Sequence, residues 1–205
     1  MRVRLDRPGL AGTPWPDRLP TLEEEIATLV ELTTRFPGGV LVAHSMASFH
    51  AEGVIRTRPD LVAGLVLVDG SVETVARSPV GDGAWLAAAR VAEWAADIGA
   101  LAALGPLVDR LTVTAQSRRR LLDRMDPRSW DTYADADAVA SVIAESAAYR
   151  RQAQDLVRVR VAHRWPIGLP VEVLTAAAAG GQRSVTVQGK LARLLGGRQT
   201  VLTEP

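Results

Sequence analysis

Two runs of consecutive apolar residues occur in the first third of the chain, "VLVA" at 40–43 and "AGLVLVD" at 63–69. Unbroken apolar runs of this length are typical of strands that are covered by helices on both faces. The segment between them, "MASFHAEGVIRTRPD", is long enough for a crossover helix. This order of strand, helix and strand predicts a parallel α/β unit.

A helix is predicted before the first of these strands, in "PTLEEEIATLVELTTRF". Thr21 and Glu24 have the spacing of a capping box. Leu22, Ile26, Leu29 and Val30 recur at helical spacing and share one face. Upstream, "RVRLD" predicts a brief strand, because it ends at a segment rich in glycine and proline.

The middle of the chain, from about 84 to 161, contains no convincing strand, and two apolar stripes there have helical spacing. They are Val91, Trp94, Ile98 and Leu101, and then Val139, Val142, Ile143, Ala153 and Leu156. After this helical insertion come a strand ("VEVLTA"), a short helix ("GKLARLLGG") and a final strand ("QTVLT"). The pattern therefore predicts one α/β domain over 1–205, with a mostly parallel sheet, helices on both faces and an insertion at about 84–161.

Composition narrows the function classes. The 205 residues are 47% hydrophobic and 23% charged, which is ordinary for a soluble globular protein. The net charge of +1 argues against a nucleic-acid partner. Absence of cysteine excludes disulfides and cysteine nucleophiles. With neither a secretory signal nor an apolar run of about 20 residues, we expect a cytoplasmic protein without a membrane partner.

Ser45 is the candidate nucleophile, because it follows a buried strand at the point where the chain turns into a helix. A sharp turn there would lift its side chain from the carboxyl edge of the sheet, where ligands bind in open α/β folds. Such a turn needs small residues on both sides, and Ala43 and Ala47 satisfy this. The alternative is that Ser45 is a small residue selected only for tight packing.

The stretch "AHSMA" resembles the nucleophile elbow of the α/β-hydrolase family, usually G-x-S-x-G. "DRPG" upstream and "RPDLVAGLVLVDGS" downstream resemble the loop after the family's strand 4 and its strand 6. "LPVEVLTA" and "LARLLGGRQTVLTEP" resemble the last two strands, and the insertion falls where the family carries a cap. The resemblance implies a three-layer α/β/α hydrolase-like fold and serine acyl transfer on a small ester, amide or related substrate, without metal or cofactor.

The resemblance also assigns roles to three residues. Ser45 would be the nucleophile, and the backbone N–H of Met46 would donate one hydrogen bond to the oxyanion. Asp69 would be the acid, since some family members carry it after strand 6. The alternative for Asp69 is a carboxylate that hydrogen-bonds the loop backbone and caps the next segment of the chain. Glu172 lies inside the strand "VEVLTA" and is poorly placed for the acid.

The catalytic histidine is not found. In the family it follows the last strand, and the second oxyanion donor follows strand 3. The chain therefore resembles a family member truncated at both ends, with the base supplied by a segment outside it. For His44, His50 and His163 a catalytic role is the less favoured interpretation. The alternative function is an inactive remnant or a small-molecule-binding pseudo-hydrolase.

The truncation that the resemblance implies would leave out strand 3, and this would have a structural consequence. Either "RVRLD" pairs directly with "VLVA", or an open sheet edge remains, which would favour self-association.

Overall fold

The computed structural model describes residues 2–5, 13, 18–73 and 136–203, together with the single positions 87, 90, 91 and 94. The chain divides into two compact units, Met1–Pro20 with Pro79–Ala148 and Thr21–Ser78 with Tyr149–Pro205. The described elements are α1 (Leu22–Arg35), β1 (Gly39–His44), α2 (Ala47–Thr57), a 3-10 turn (Pro59–Leu61), β2 (Val62–Val68), α3 (Ala136–Ala162), β3 (Val171–Ala176), α4 (Ala177–Leu194) and β4 (Arg198–Leu202). None of the described helices combines the length and apolar character needed to cross a bilayer.

The four strands form one parallel sheet in the order β1-β2-β3-β4, which lies entirely in the second unit. In-register neighbours include Ala43, Leu67 and Val173. Four of the five predicted strands, namely "VLVA", "AGLVLVD", "VEVLTA" and "QTVLT", are strands of this sheet. The prediction of a mostly parallel α/β sheet is therefore confirmed. Because the strands are parallel, their carboxyl ends, including those of β1 and β2, lie at the same edge.

Helix α1 begins with the predicted capping box. The Glu24 N–H donates to Thr21 Oγ1 at 3.3 Å, and the Thr21 N–H donates to a Glu24 carboxylate oxygen at 3.2 Å. These bonds satisfy two backbone donors that a helix start otherwise leaves free. Helix α1 approaches α2 closely at Gly53, where a Cβ would lie 2.3 Å from Ile26 Cδ1.

The main core lies between one face of the sheet and helices α2 and α4. It joins residues from strands β1 to β3 with residues from both helices, and its most central members include Val54, Ile55, Leu65, Leu67, Val173 and Leu195. A second cluster packs Ala153 and Leu156 of α3 against Leu22, Met46 and Phe49. Helix α2 therefore contributes to both clusters, which anchors the element that follows Ser45.

The opposite face of the sheet is far more exposed. Val40 is 58% exposed and Val42 70% exposed, although both belong to β1. Helices α2 and α4 share one core cluster and cover the same face, so the predicted second helical layer is not among the described residues. Since β1 stands at the end of the strand order, that edge has no strand partner in the described part of the chain. Self-association through it stays a prediction.

Two sequence predictions differ from the structure. Residues 2–5 are outside any strand, so the predicted strand "RVRLD" is wrong. Its two apolar side chains, Val3 and Leu5, remain nearly half exposed, so they gain little burial from their surroundings. Helix α4 begins at Ala177, well before the predicted short helix "GKLARLLGG", and is interrupted at Gly181 (φ 60°, ψ −165°).

Most of the predicted insertion at 84–161 lies outside the described residues. Its second apolar stripe falls within α3, which is helical as predicted. Ile98 and Leu101 of the first stripe are not described, so the boundaries of the insertion stay a prediction.

Candidate active site

Ser45 occupies the corner between β1 and α2. Its φ is +51°, in the left-handed region, and α2 begins two residues later at Ala47. A left-handed residue with a Cβ costs about 1–2 kcal/mol, so this conformation must be held by its surroundings. Ser45 is exposed, whereas its neighbours Ala43 and Met46 are buried.

Backbone hydrogen bonds fix this corner on both sides of Ser45. The Ser45 N–H donates to the Val68 carbonyl at 3.2 Å. The Ser45 carbonyl accepts from the Ser48 N–H at 3.1 Å, from Ser48 Oγ at 2.7 Å and from the Ser71 N–H at 3.0 Å. In the part of the chain that the structure describes, the Ser45 hydroxyl has no partner. The backbone is therefore held while the hydroxyl stays available.

Met46 provides a backbone donor next to this hydroxyl. It is the N-cap residue of α2, and no side chain caps that helix end. Within the described residues its N–H donates no hydrogen bond. Free N–H groups at a helix start carry partial positive charge and stabilise an adjacent anion. The geometry is thus compatible with the predicted role of Met46 as an oxyanion donor, which stays a prediction.

Asp69 lies at the carboxyl end of β2, also with a left-handed backbone (φ +43°). Its N–H donates to the Leu174 carbonyl at 2.9 Å, and its Oδ1 accepts from the Ala176 N–H at 2.9 Å. These contacts tie the end of β2 to β3, as the structural alternative for Asp69 predicts. Its other carboxylate oxygen has no partner among the described residues. The catalytic role of Asp69 stays a prediction.

The three histidines are in different surroundings, and among the described contacts none bonds to Ser45. His44 is the last residue of β1 and is exposed. His50 is buried in α2, where its Nε2 lies 2.7 Å from Gln152 Oε1 and its Nδ1 lies 3.8 Å from a Glu25 oxygen. His163 follows α3 and is exposed.

Glu172 lies within β3 and is engaged by β4. It accepts hydrogen bonds from the Thr200 hydroxyl and from the Arg198 guanidinium, the latter at 3.0 Å. The Thr200 bond and, to a lesser extent, Arg198 lower the pKa of Glu172 below its usual value. Glu172 therefore joins two strands, and it has no described contact with Ser45.

Sequence reasoning missed two residues that hold the corner. Ser48 belongs to the predicted crossover segment "MASFHAEGVIRTRPD". Its position three residues after Ser45 could have indicated the bond to the Ser45 carbonyl. Ser71 lies beyond β2, and no local pattern indicates its contact with Ser45. Gln188 of α4 supports the same loop, because its side-chain amide donates to the Gly70 carbonyl.

Comparison with solved structures gives the class of fold. An α/β hydrolase enzyme from a Medee basin deep-sea metagenome library matches with a TM-score of 0.60 and 12% identity, over 95% of this chain and 68% of that one. A thermophilic esterase from Thermogutta terrifontis matches with a TM-score of 0.57 and 21% identity, over 95% and 68%. The N-formylmaleamic acid deformylase of Pseudomonas putida S16 matches with a TM-score of 0.54 and 16% identity, over 88% and 65%.

This chain therefore has the α/β-hydrolase fold, which confirms the resemblance predicted from the sequence. It spans 65% of the length of the deformylase, slightly under two thirds, so the fold is incomplete relative to that structure. No protein-family model matches the sequence, and no curated protein matches it either.

Proposed function

We propose that this protein is a serine hydrolase that cleaves a small ester, amide or related acyl compound through Ser45. The observation that carries the proposal is the exposed Ser45 with its left-handed backbone, at a strand-to-helix corner of an α/β-hydrolase fold. The similar structures include an esterase and a deformylase, whose names both denote cleavage of acyl bonds.

In the proposed reaction, Ser45 Oγ attacks the carbonyl carbon of the substrate and loses its proton to a base. The negative charge that develops on the carbonyl oxygen is stabilised by the Met46 N–H, at the start of α2. Collapse of the intermediate expels the alcohol or amine, which takes up a proton. Water then cleaves the acyl-enzyme and restores the Ser45 hydroxyl.

Asp69 is the proposed acid. It lies at the same sheet edge as Ser45, and the Ser45 N–H bonds to the residue just before it, Val68. One of its carboxylate oxygens is occupied by the Ala176 N–H, and the other would be available to orient a base. In serine hydrolases that orienting bond holds the imidazole in the productive tautomer.

The base is not among the described residues that contact Ser45. Without a positioned base a serine hydroxyl is a weak nucleophile. The proposed function therefore requires that a base reach Ser45 in the active protein. A fluorophosphonate is the appropriate probe, because it reacts with a serine that a base activates.

The test is covalent labelling of the purified protein with a fluorophosphonate, in which Ser45 Oγ would form a bond to phosphorus and fluoride would leave. We expect labelling of the wild type and none of Ser45→Ala, with intact mass and peptide mapping placing the adduct on Ser45. Ser48→Ala is the matched control, because Ser48 is buried and its hydroxyl is already bonded to the Ser45 carbonyl.

Absence of labelling in a protein shown to be folded by circular dichroism would contradict the proposal. That outcome would favour the alternative of a small-molecule-binding pseudo-hydrolase. Equal labelling of the wild type and Ser45→Ala would also contradict it, because the reactive group would then lie elsewhere.

A further inference from the structure

A charged cluster is formed by Glu52 and Arg56, which are buried, and by Arg160, which is partly buried. The Glu52 carboxylate, only 3% exposed, accepts from Arg56 Nε at 2.8 Å and from Arg160 Nε and Nη2 at 2.8 and 2.7 Å. The two bonds from Arg160 form a bidentate fork, the strongest common geometry for this pair. One carboxylate is thus shared between an arginine of its own helix, α2, and an arginine of α3.

The two arginines use their remaining donors differently. Arg56 Nη1 donates to the His163 carbonyl at 2.9 Å, and its guanidinium lies 5.3 Å from the centre of the Trp165 ring. Arg160 Nη1 donates instead to the Glu73 carbonyl at 2.7 Å. Of the two, Arg160 alone bonds to the loop that follows β2, residues 69–73, which we call the β2 loop.

The β2 loop also reaches the candidate nucleophile. The Ser71 N–H bonds to the Ser45 carbonyl at 3.0 Å, and the Ser71 carbonyl accepts from Ser48 Oγ at 3.3 Å. Helix α2 leaves the corner from the other side and carries Glu52. A single guanidinium, that of Arg160, is therefore bonded both to α2, which begins just after Ser45, and to the β2 loop, which contacts Ser45 through Ser71.

We propose that Arg160 is a positioning residue that clamps the β2 loop to α2 and so holds the Ser45 corner in its reactive geometry. The consequence for reactivity rests on the proposed function, whereas the clamp itself does not. The clamp needs arginine, because a fork to Glu52 and a third bond to Glu73 together require all three guanidinium nitrogens. A lysine has one nitrogen and keeps the charge without this geometry.

The experiment compares Arg160→Lys with Arg56→Lys in the full chain. Both variants weaken a bond to Glu52, and only the first removes the bond to the β2 loop. We expect native-state hydrogen exchange at the Ser71 amide to speed up roughly tenfold or more in Arg160→Lys, as loss of a hydrogen bond from a charged group implies. Arg56→Lys should change it by less than about threefold, because Arg56 bonds to Glu52 and to the His163 carbonyl and not to the β2 loop.

Fluorophosphonate labelling gives the second readout. We expect its rate at Ser45 to fall at least about tenfold in Arg160→Lys and to stay near the wild-type rate in Arg56→Lys, since loosening the corner misplaces the hydroxyl. A general loss of stability would slow the labelling of both variants alike. Equal Ser71 exchange in the two variants would overturn the proposal.

The two proposals fail in different ways. If the wild type is not labelled, the proposed function fails, and the exchange comparison still tests the clamp. If Arg160→Lys does not fold, the wild type alone provides the test through the denaturant dependence of exchange. The clamp predicts that the Ser71 amide opens together with the amides of α2, and independent opening of Ser71 at low denaturant would overturn it.

Discussion

Replacing Ser45 by glycine and by alanine separates the strain of the corner from its chemistry. Both variants lack the hydroxyl, so they differ in a single Cβ atom. With φ at +51°, that atom should cost about 1–2 kcal/mol in the folded state. Glycine lowers the free energy of unfolding by about 0.4–1 kcal/mol, because it gives the unfolded chain more conformational freedom. We therefore expect Ser45→Gly to be more stable than Ser45→Ala by about 1 kcal/mol.

Urea unfolding followed by circular dichroism measures this difference. In a chain of this size, about 1 kcal/mol corresponds to a rise in melting temperature of about 2–4 °C. Ala47→Gly is the matched control, because Ala47 is the first residue of α2 and has helical geometry. There glycine should destabilise by about 0.5–1 kcal/mol. The sign of the alanine-to-glycine effect should therefore reverse within two residues.

The reasoning would be refuted if glycine destabilised position 45 as it does position 47. The corner would then not be left-handed in solution, and the exposed hydroxyl would lose its structural basis. Equal stability of the two Ser45 variants would mean that surrounding bonds do not enforce the strained geometry. Neither outcome depends on catalytic activity, so the test remains valid if the protein hydrolyses nothing.

Three further predictions concern stability. Glu52→Gln leaves the buried Arg56 and the partly buried Arg160 without their carboxylate, and we expect a loss of about 3–5 kcal/mol in urea unfolding. A loss below about 1 kcal/mol would contradict a structural role for this cluster. Gly197→Ala should destabilise by about 1–3 kcal/mol, because its Cβ would lie 2.6 Å from the Val171 carbonyl oxygen, whereas Gly39→Ala, whose nearest contact is 3.4 Å, should be nearly neutral. The lowered pKa of Glu172 means that its contribution to stability is present above the unfolded-state pKa and is lost as pH falls through the folded-state pKa. Acidification should therefore destabilise the wild type more than Glu172→Gln, and parallel pH profiles would contradict this.

Local signals in the sequence predicted the elements of the sheet. The strands β1 and β2 contain unbroken apolar runs, and α1 begins at a capping box whose two members are three positions apart. The corner at Ser45 was predictable for the same reason, because small residues, the apolar strand and the crossover helix are contiguous. Such features depend on neighbours within about one or two turns of chain.

Contacts between distant segments were not predictable. The spacing of Glu52 and Arg56 is that of an ion pair along a helix, but Arg160 lies 108 positions from Glu52. The Ser71 bond to Ser45 and the His50 contact with Gln152 likewise join separate elements. The early start of α4 was not predicted, because its pair of glycines is typical of a loop. The alanines before that pair favour a helix.

The bond between the Ser71 N–H and the Ser45 carbonyl crosses from one strand end to the next. Residues 39–57 alone contain the whole motif and still lack this support, so a peptide of that stretch should leave the serine inert. Reactivity at position 45 would then appear during refolding only after β2 has docked. The serine would serve as a built-in reporter of when the sheet is assembled.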